Sequence, residues 1–143
     1  MIFFVDANVL IYSASSDPAR ANCQQIIEAI ADGGVEGRTS TACLEEVWHL
    51  ERSGRSGPLA GLTKRVYRTF TPLLPVTDAT FARALSIEAP KLGTNDRLHV
   101  ATCLEHGIHV ICTGDAEFDG VSEIRRVDPR DDPAVKALLA GRA

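Results

Sequence analysis

The chain has 143 residues, so we expect a single domain over residues 1–143, with a core that needs neither disulfides nor a structural metal. A composition of 45% hydrophobic and 24% charged residues excludes collagen-like, coiled-coil and disordered chains, and no apolar run approaches the ~18 residues of a membrane span. The 19 acids exceed the 15 bases, and the net charge of −4 argues against a general nucleic-acid coat protein, which would be basic.

Strand and helix patterns alternate along the chain, beginning with the apolar run Ile2–Val5. Such a run is typical of a strand that is buried on both faces of a parallel sheet. Asp17 and Pro18 then predict a helix start, as N-cap and first helical residue, and this helix ends at the glycine pair 33–34. Further strands are predicted at residues 37–40, 73–76, 108–113 and 124–127. Further helices are predicted at residues 44–54, 59–70, 78–89 and 97–107.

This alternation predicts a three-layer α/β/α domain with a central, mostly parallel sheet. In such sheets, ligands bind in the crevice beyond the carboxyl ends of the strands. The residues that directly follow each predicted strand are therefore the first candidates for a functional site.

Two aspartates follow predicted buried strands. Asp6 comes directly after the first strand and Asp115 comes just after residues 108–113, so both are expected at the carboxyl edge of the sheet. Asn8 is placed to orient Asp6 or a bound water, and Asp119 is a further candidate or an ordinary loop residue. The alternative for Asp6 is a helix cap or turn residue, a role that aspartate favours.

Two helices contribute further acids. Glu45 and Glu46 are adjacent in the helix at residues 44–54 and point about 100° apart, so only one of them can face a given crevice. The apolar stripe does not decide between them, and the helix dipole alone favours glutamates near a helix start. Asp96 precedes the helix at residues 97–107, where the alternative role is that of an N-cap.

Several carboxylates that meet in one crevice require compensation by positive charge. Two of them about 4 Å apart repel by about 4 kcal/mol at an effective dielectric constant of 20. The three lysines of the chain, Lys64, Lys91 and Lys136, all lie outside the acidic motifs. A divalent cation is the natural partner, and oxygen ligands favour Mg²⁺ or Mn²⁺. Such sites catalyse the attack of activated water on a phosphodiester.

Four segments carry these acids: VDANVLIY, STACLEEV, NDRLHVATCLEHG and VICTGDAEFD. In order and spacing they resemble the motifs of PIN-domain ribonucleases, in particular the VapC-type toxins, over about residues 2–119. The resemblance implies that the catalytic, metal-binding acids, here called the acidic quartet, are Asp6, Glu46, Asp96 and Asp115.

Within the resemblance, Glu46 is chosen because the glutamate of the family is followed by an aliphatic residue, here Val47. Thr113 matches a serine or threonine that supports the metal site, and Asn8 matches the polar residue after the first acid. Arg97 is a departure, because relatives have a small residue after the third acid. Its two open roles are phosphate binding and exposure to solvent.

The resemblance implies a Mg²⁺- or Mn²⁺-dependent endoribonuclease that cleaves structured RNA such as transfer or ribosomal RNA. It further implies a homodimer that is silenced by a cognate VapB-type antitoxin. Two alternatives stay open: a PIN-like binding module that has lost catalysis, and an aspartyl-phosphate phosphatase. The second also has an aspartate after its first strand, but it requires a second aspartate where this chain has Asn8. Whether the site holds one metal ion or two is also open.

Five basic residues form a candidate RNA-binding stripe, with an ordinary solvated face as the alternative: Arg52, Arg55, Lys64, Arg65 and Arg68. The histidines have no cysteines at zinc-ligand spacing, which argues against a zinc site, and His99 is expected to be structural. Trp48 and Tyr67 are expected in the core or in dimer contacts.

The sequence also predicts a cytoplasmic location. The first residues, MIFFVDANVLIY, lack the basic start of a secretory signal, and an aspartate interrupts their apolar run. The four cysteines are widely spaced and form no C-x-x-C motif. They would allow two disulfides, but in a chain without an export signal we expect reduced core thiols.

Overall fold

A computed structural model describes residues 1–142 of the protein. Its four strands are β1 (Ile2–Val5), β2 (Glu36–Arg38), β3 (Val110–Cys112) and β4 (Arg125–Val127). They form one parallel sheet in the order β2-β1-β3-β4. The helices are α1 (Ala7–Tyr12), α2 (Arg20–Ala31), α3 (Thr41–Ser53), α4 (Leu62–Phe70), α5 (Asp78–Leu85), α6 (Thr94–Glu105) and α7 (Asp132–Leu139), with a 3-10 helix at Ala116–Gly120. The predicted three-layer α/β/α fold is confirmed.

The two central strands form the middle of the core. Phe3, Phe4 and Val5 of β1 are fully buried, as are Ile111 and Cys112 of β3. Burial of consecutive residues, whose side chains alternate in direction, means that helices cover both faces of the sheet. This is the arrangement that the continuous apolar runs predicted.

The carboxyl ends of β1, β3 and β4 lie flush at one edge of the sheet. The backbone N–H of Asp6 donates to the carbonyl of Cys112 over 3.1 Å, and that of Thr113 donates to the carbonyl of Val127 over 3.0 Å. The ladder therefore continues one residue beyond the strands, and it sets Asp6 and Thr113 side by side.

The prediction of a strand at residues 73–76 is wrong. In the structure, Leu74 alone bridges to Ser40, with hydrogen bonds of 2.9 Å to the Thr39 carbonyl and 3.0 Å from the Thr41 N–H. Pro72 and Pro75 flank the segment, and proline has no N–H to donate to a ladder. The pairing therefore stops after one residue.

The connection between α5 and α6 also differs from the prediction. Helix α5 ends at Leu85, not at residue 89, because the guanidinium of Arg97 holds the following segment by donating to the carbonyls of Ile87, Ala89 and Leu92 over 2.8–3.0 Å. Arg97 is therefore a structural residue, and neither of its two expected roles applies. Helix α6 begins at Thr94, so that Asp96 lies inside its first turn instead of preceding it.

Three short elements were not predicted: α1, α7 and the 3-10 helix. Helix α1 has six residues, and its β-branched Val9 and Ile11 favour strands, which concealed it. Helix α2 begins at Arg20, after a turn in which the Asp17 side chain accepts from the Ala19 N–H, and α4 begins only at Leu62.

The four cysteines are buried and unpaired, as expected. None of the helices over residues 1–142 has the length and apolar character that a membrane crossing requires.

Candidate active site

Asp6 lies at the centre of the carboxyl edge, where β1 passes into α1. It is buried, and both of its carboxylate oxygens accept hydrogen bonds. Oδ1 accepts from the N–H of Ala7 over 2.7 Å, and Oδ2 accepts from Asn8 over 2.8 Å and from Thr113 over 2.7 Å. Asp6 is thus also the N-cap of α1, the alternative that its position suggested. Burial raises the pKa of the Asp6 carboxyl above its usual value, although His99, Thr113 and Ala7 oppose this rise.

Asn8 and Thr113 connect Asp6 to Asp115. The amide of Asn8 donates to the hydroxyl of Thr113 over 2.8 Å and accepts from the Gly114 N–H over 3.1 Å. The Thr113 hydroxyl in turn accepts from the N–H of Asp115 over 3.1 Å. The ends of β1 and β3 are therefore held together by one network that orients both aspartates, and both lie at the carboxyl edge of the sheet, as their positions in the sequence predicted.

Asp96 faces the same crevice from the first turn of α6. Burial raises the pKa of its carboxyl to about 6, and the negative charges of Asp6, Asp115 and Glu46 add to this rise, while His99 opposes it. Within residues 1–142, none of these four acids forms an ion pair with a lysine or arginine. The structure thus brings the acidic quartet together, and His99 offsets only part of its mutual repulsion.

The structure directs the side chains of Glu46 and Glu45 to different sides of α3. The Oε1 atom of Glu46 lies 3.1 Å from Nε2 of His99, and this nitrogen lies 3.8 Å from Asp6 Oδ1, so Glu46 faces the crevice. Glu45 is exposed and lines a groove on the other side of α3, beside Trp48. The sequence left this choice open, and the resemblance decided it in favour of Glu46.

Two residues of the crevice were not predicted as site residues. His99 was expected to be structural, and Cys43 was expected only as a core thiol. His99 is fully buried, and the neighbouring Cys43, Glu46 and Asp6 hold its pKa well above the usual value although burial acts in the opposite direction. The Sγ atom of Cys43 lies 3.7 Å from His99 Nε2 and 3.8 Å from Asp6 Oδ1. Cys43 and His99 are 56 positions apart, so no local spacing pattern could have revealed their contact.

A third missed residue is Glu117, in the 3-10 helix. Carboxylate oxygens of Asp96, Asp115 and Glu117 all lie within 4.8 Å of one another, and we call these three residues the outer cluster. Three oxygen ligands at this spacing, with no neutralising base, suit a hard divalent cation such as Mg²⁺ or Mn²⁺. The spacing of two residues between Asp115 and Glu117 was the signal in the sequence.

Asp119, the remaining acidic candidate, is directed elsewhere. Its two oxygens accept from Nε and Nη2 of Arg126 over 2.9 and 3.1 Å. This ion pair lowers the pKa of Asp119 below its usual value and occupies both oxygens. Asp119 is therefore a loop residue that pairs with β4, which was its alternative role.

The candidate RNA-binding stripe is divided by the structure. All five of its bases are exposed. Lys64 and Arg68 line the groove between α3 and α4, whereas Arg65 lies on another side of α4, where its Nη1 donates to the Ala60 carbonyl over 3.1 Å. One flank of α4 is therefore positive through Lys64 and Arg68, and Arg65 lies outside it because adjacent helical residues point about 100° apart.

The same groove, of about 600 Å³, contains two large exposed aromatic residues. Trp48 is 54% exposed and Tyr67 is 52% exposed, so the expectation that they lie in the core is wrong. A second exposed apolar patch lies on α5, where Leu85 is 76% exposed beside Phe81. Both surfaces remain available for partner contacts.

Comparison with known proteins agrees with this geometry. The family model of the PIN domain matches residues 3–124, and the chain belongs to this family. It is similar to ribonuclease VapC23 of Mycobacterium tuberculosis, with 31% identity over 118 residues that cover 80% of this chain and 93% of VapC23. It is also similar to ribonuclease VapC7 of the same organism, with 26% identity over 146 residues that cover 96% and 98% of the two chains. The predicted resemblance to VapC-type PIN-domain ribonucleases is confirmed.

Two solved structures share the fold. One is the VapBC2 complex of Rickettsia felis bound to a promoter DNA fragment, with a TM-score of 0.68 and 13% identity over 89% of this chain and 98% of the matched chain. The other is FitAcB from Neisseria gonorrhoeae, with a TM-score of 0.62 and 19% identity over 90% and 98%. At these identities the two structures support the fold alone.

Proposed function

We propose that residues 1–143 form a single PIN domain that acts as a divalent-metal-dependent endoribonuclease, the toxin of a toxin–antitoxin pair. The observation that carries this proposal is the convergence of Asp6, Glu46, Asp96 and Asp115 in one crevice, where His99 pairs with Glu46 and Asp6 and, among residues 1–142, no lysine or arginine pairs with any of the four. The names of the VapC relatives support ribonuclease activity.

The residues of the crevice have three roles: metal binding, positioning of the ligands and proton acceptance. Asp96, Asp115 and Glu117 would hold the cation together with Asp6, and Asn8 and Thr113 keep Asp6 and Asp115 in fixed positions. When bound, Mg²⁺ or Mn²⁺ supplies a Lewis acid that activates water and offsets the charge of the phosphodiester. Hydrolysis then adds one water across a P–O bond of the RNA. Glu46, at the mouth of the crevice with 27% of its side chain exposed, is placed to accept the proton of that water.

The alternative of an aspartyl-phosphate phosphatase fits the structure less well. A nucleophilic aspartate must be accessible to its substrate, whereas Asp6 is buried and held in one orientation by hydrogen bonds to both of its oxygens. Asp6 is thus suited to be a fixed ligand.

We further propose two protein partners, a VapB-type antitoxin and a second copy of this chain. The groove between α3 and α4 is concave and carries Trp48 and Tyr67, which suits a segment of a different protein. A partner in this groove would also cover Lys64 and Arg68, which we propose to contact RNA phosphates. The patch at Leu85 on α5 suits a symmetric contact between two copies.

The proposal is tested with the purified chain and structured RNA substrates, among them transfer and ribosomal RNA. Cleavage is expected with added Mg²⁺ or Mn²⁺ and is expected to stop with a chelator. Asp6→Ala and Asp96→Ala should abolish cleavage while circular dichroism shows folded protein, and Asp119→Asn should cleave normally because Arg126 already occupies that carboxylate. Binding of RNA without cleavage would instead favour the non-catalytic module.

A test in cells addresses the toxin role. Expression of the wild-type chain alone should stop bacterial growth, and expression of Asp6→Ala at the same level should not. Equal growth of the two strains would remove the toxin role and leave the nuclease role to the test in vitro.

A further inference from the structure

Beside the outer cluster lies a second group of metal-ligating side chains, the inner cluster of Asp6, Cys43 and His99. All three residues are buried. Cys43 Sγ lies 3.7 Å from His99 Nε2 and 3.8 Å from Asp6 Oδ1, and His99 Nε2 lies 3.8 Å from the same carboxylate oxygen. The inner cluster therefore joins a thiol, an imidazole and a carboxylate, whereas the outer cluster contains oxygen ligands alone.

The inner cluster has the size of one face of a tetrahedral zinc site. Zinc lies about 2.3 Å from sulfur and about 2.0–2.2 Å from nitrogen and oxygen, so tetrahedral geometry separates its ligand atoms by about 3.4–3.6 Å. The three measured separations of 3.7, 3.8 and 3.8 Å differ from this by a few tenths of an ångström. Small side-chain shifts would therefore complete the face.

Helix α3, which carries Cys43, also provides a candidate fourth ligand, Glu46, and the side from which an ion can enter. Glu46 Oε1 lies 3.1 Å from His99 Nε2, on the side of the crevice, and its side chain is the partly exposed member of the group. An ion can thus enter beside Glu46 and be coordinated by the sulfur, nitrogen and oxygen atoms of the inner cluster, and a rotation of the Glu46 side chain would bring its carboxylate in as the fourth ligand. Borderline-soft Zn²⁺ prefers such a mixed set, and Mg²⁺ prefers oxygen alone.

The hydrogen bonds of Asp6 leave room for this coordination. Oδ1 accepts from the Ala7 N–H and lies within hydrogen-bond range of the Cys43 thiol, while Oδ2 accepts from Asn8 and Thr113. When zinc binds, the S–H bond of Cys43 and the Nε2–H bond of His99 break, both protons leave to solvent, and sulfur–zinc and nitrogen–zinc bonds form in their place. The three other hydrogen bonds of Asp6 remain.

We propose that the inner cluster, together with Glu46, is a binding site for a thiophilic divalent cation of the Zn²⁺ class. Zinc in this site inhibits the nuclease, because Asp6 and Glu46 also belong to the acidic quartet and cannot serve both ions in one geometry. The inhibition rests on the proposed function, whereas the binding does not. At equal concentration Zn²⁺ binds nitrogen, oxygen and sulfur ligands more tightly than Mn²⁺, so it competes effectively.

Binding is tested with the full chain, reduced and freed of metal, and with Co²⁺ as a spectroscopic probe of the zinc site. A thiolate ligand gives a sulfur-to-cobalt charge-transfer band, which Zn²⁺ should abolish and Mg²⁺ should not. We expect this band in the wild type and in Cys23→Ala, which removes another fully buried thiol. We expect its loss in Cys43→Ala and in Cys43→Ser, which keeps a donor towards Asp6 and guards against misfolding of the alanine variant.

A band that persists in the folded Cys43 variants, or no band in the wild type, would overturn the site. Calorimetry should give a Zn²⁺ affinity at least tenfold weaker in Cys43→Ser than in Cys23→Ala. RNA cleavage in Mg²⁺ is then measured with and without Zn²⁺, relative to the rate of each variant alone. Zinc should inhibit the wild type and Cys23→Ala and not Cys43→Ser. If the wild type cleaves no RNA under any condition, the proposed function fails, while the cobalt band still decides the site.

Discussion

The hydroxyl of Thr113 donates to Oδ2 of Asp6 over 2.7 Å, although the two residues are 107 positions apart in the sequence. The same hydroxyl accepts from the N–H of Asp115. Because it is fully buried, it has no water to replace either partner. One side chain thus fixes two acids of the quartet across neighbouring strands.

Thr113→Val keeps the shape of this side chain and removes its hydrogen bonds. We expect RNA cleavage to slow by about 10- to 100-fold and the Mg²⁺ requirement to rise, since groups that orient metal ligands have effects of this size. The rate is measured over a Mg²⁺ titration. Thr113→Ser keeps the hydroxyl and should remain close to the wild type, and equal defects in both variants would show that the methyl group matters instead.

Glu46→Gln and Glu45→Gln form a matched pair on α3. Glu46 contacts His99 in the crevice, whereas Glu45 lines the groove beside Trp48. We expect Glu46→Gln to lower the rate of RNA cleavage by about 100-fold or more, and Glu45→Gln to change it less than about twofold. A larger loss in Glu45→Gln would mean that the active crevice lies on the other side of α3.

Asp96→Asn should stabilise the metal-free protein at neutral pH, because it removes one of several like charges in the crevice. The pKa of Asp96 rises from 3.8 to about 6 on folding, so the folded chain binds this proton more tightly than the unfolded chain. The proton on Asp96 therefore stabilises the folded chain to its full extent below pH 3.8, and this stabilisation is lost as the pH rises through about 6. The melting temperature of the variant, minus that of the wild type, should become more positive over this range.

Asp119→Asn is the control, because the carboxylate that it removes changes stability with pH in the opposite direction. Arg126 lowers the pKa of Asp119, so this carboxylate stabilises the folded chain above its unfolded pKa, and that contribution is lost as the pH falls through the lowered value. Added Mg²⁺ should raise the melting temperature of the wild type and of Asp119→Asn, but not that of Asp96→Asn. A pH-independent difference between Asp96→Asn and the wild type would contradict the burial of charge in the crevice.

Arg97→Lys should destabilise the fold, because one ammonium cannot replace a guanidinium that donates to three carbonyls at once. We expect a loss of about 2 kcal/mol in the free energy of unfolding and a fall of roughly 6–10 °C in melting temperature. Thermal denaturation followed by circular dichroism measures both. Arg125→Lys, at an exposed position of β4, should melt within about 1 °C of the wild type.

Trp48→Ala and Leu85→Ser distinguish the two partner surfaces. Trp48→Ala should weaken binding of the antitoxin by about tenfold or more, because exposed tryptophans in grooves carry much of the binding energy of an interface. Leu85→Ser should shift the chain from dimer to monomer in light scattering. Each variant is the control for the other, and an exchange of the two effects would reverse the assignment of the surfaces.

The sequence by itself determined the position of two acids and the type of sheet. Asp6 directly follows an apolar run and Asp115 comes shortly after another, and the carboxyl ends of parallel strands meet at one edge, so linear order was enough to bring them together. Linear order did not determine the pairing at residues 73–76, where two prolines limit the strand to one bridge.

The tertiary structure alone decided which side chains complete the crevice. Three features depend on how helices rotate and pack over the sheet. They are the orientation of Glu46, the contact between Cys43 and His99, and the ion pair that directs Asp119 towards Arg126. A helix turns its residues by about 100° each, so a small rotation exchanges neighbours such as Glu45 and Glu46 without changing any sequence pattern. Contacts between residues 56 positions apart have no local signal, and packing of α3 against α6 creates them.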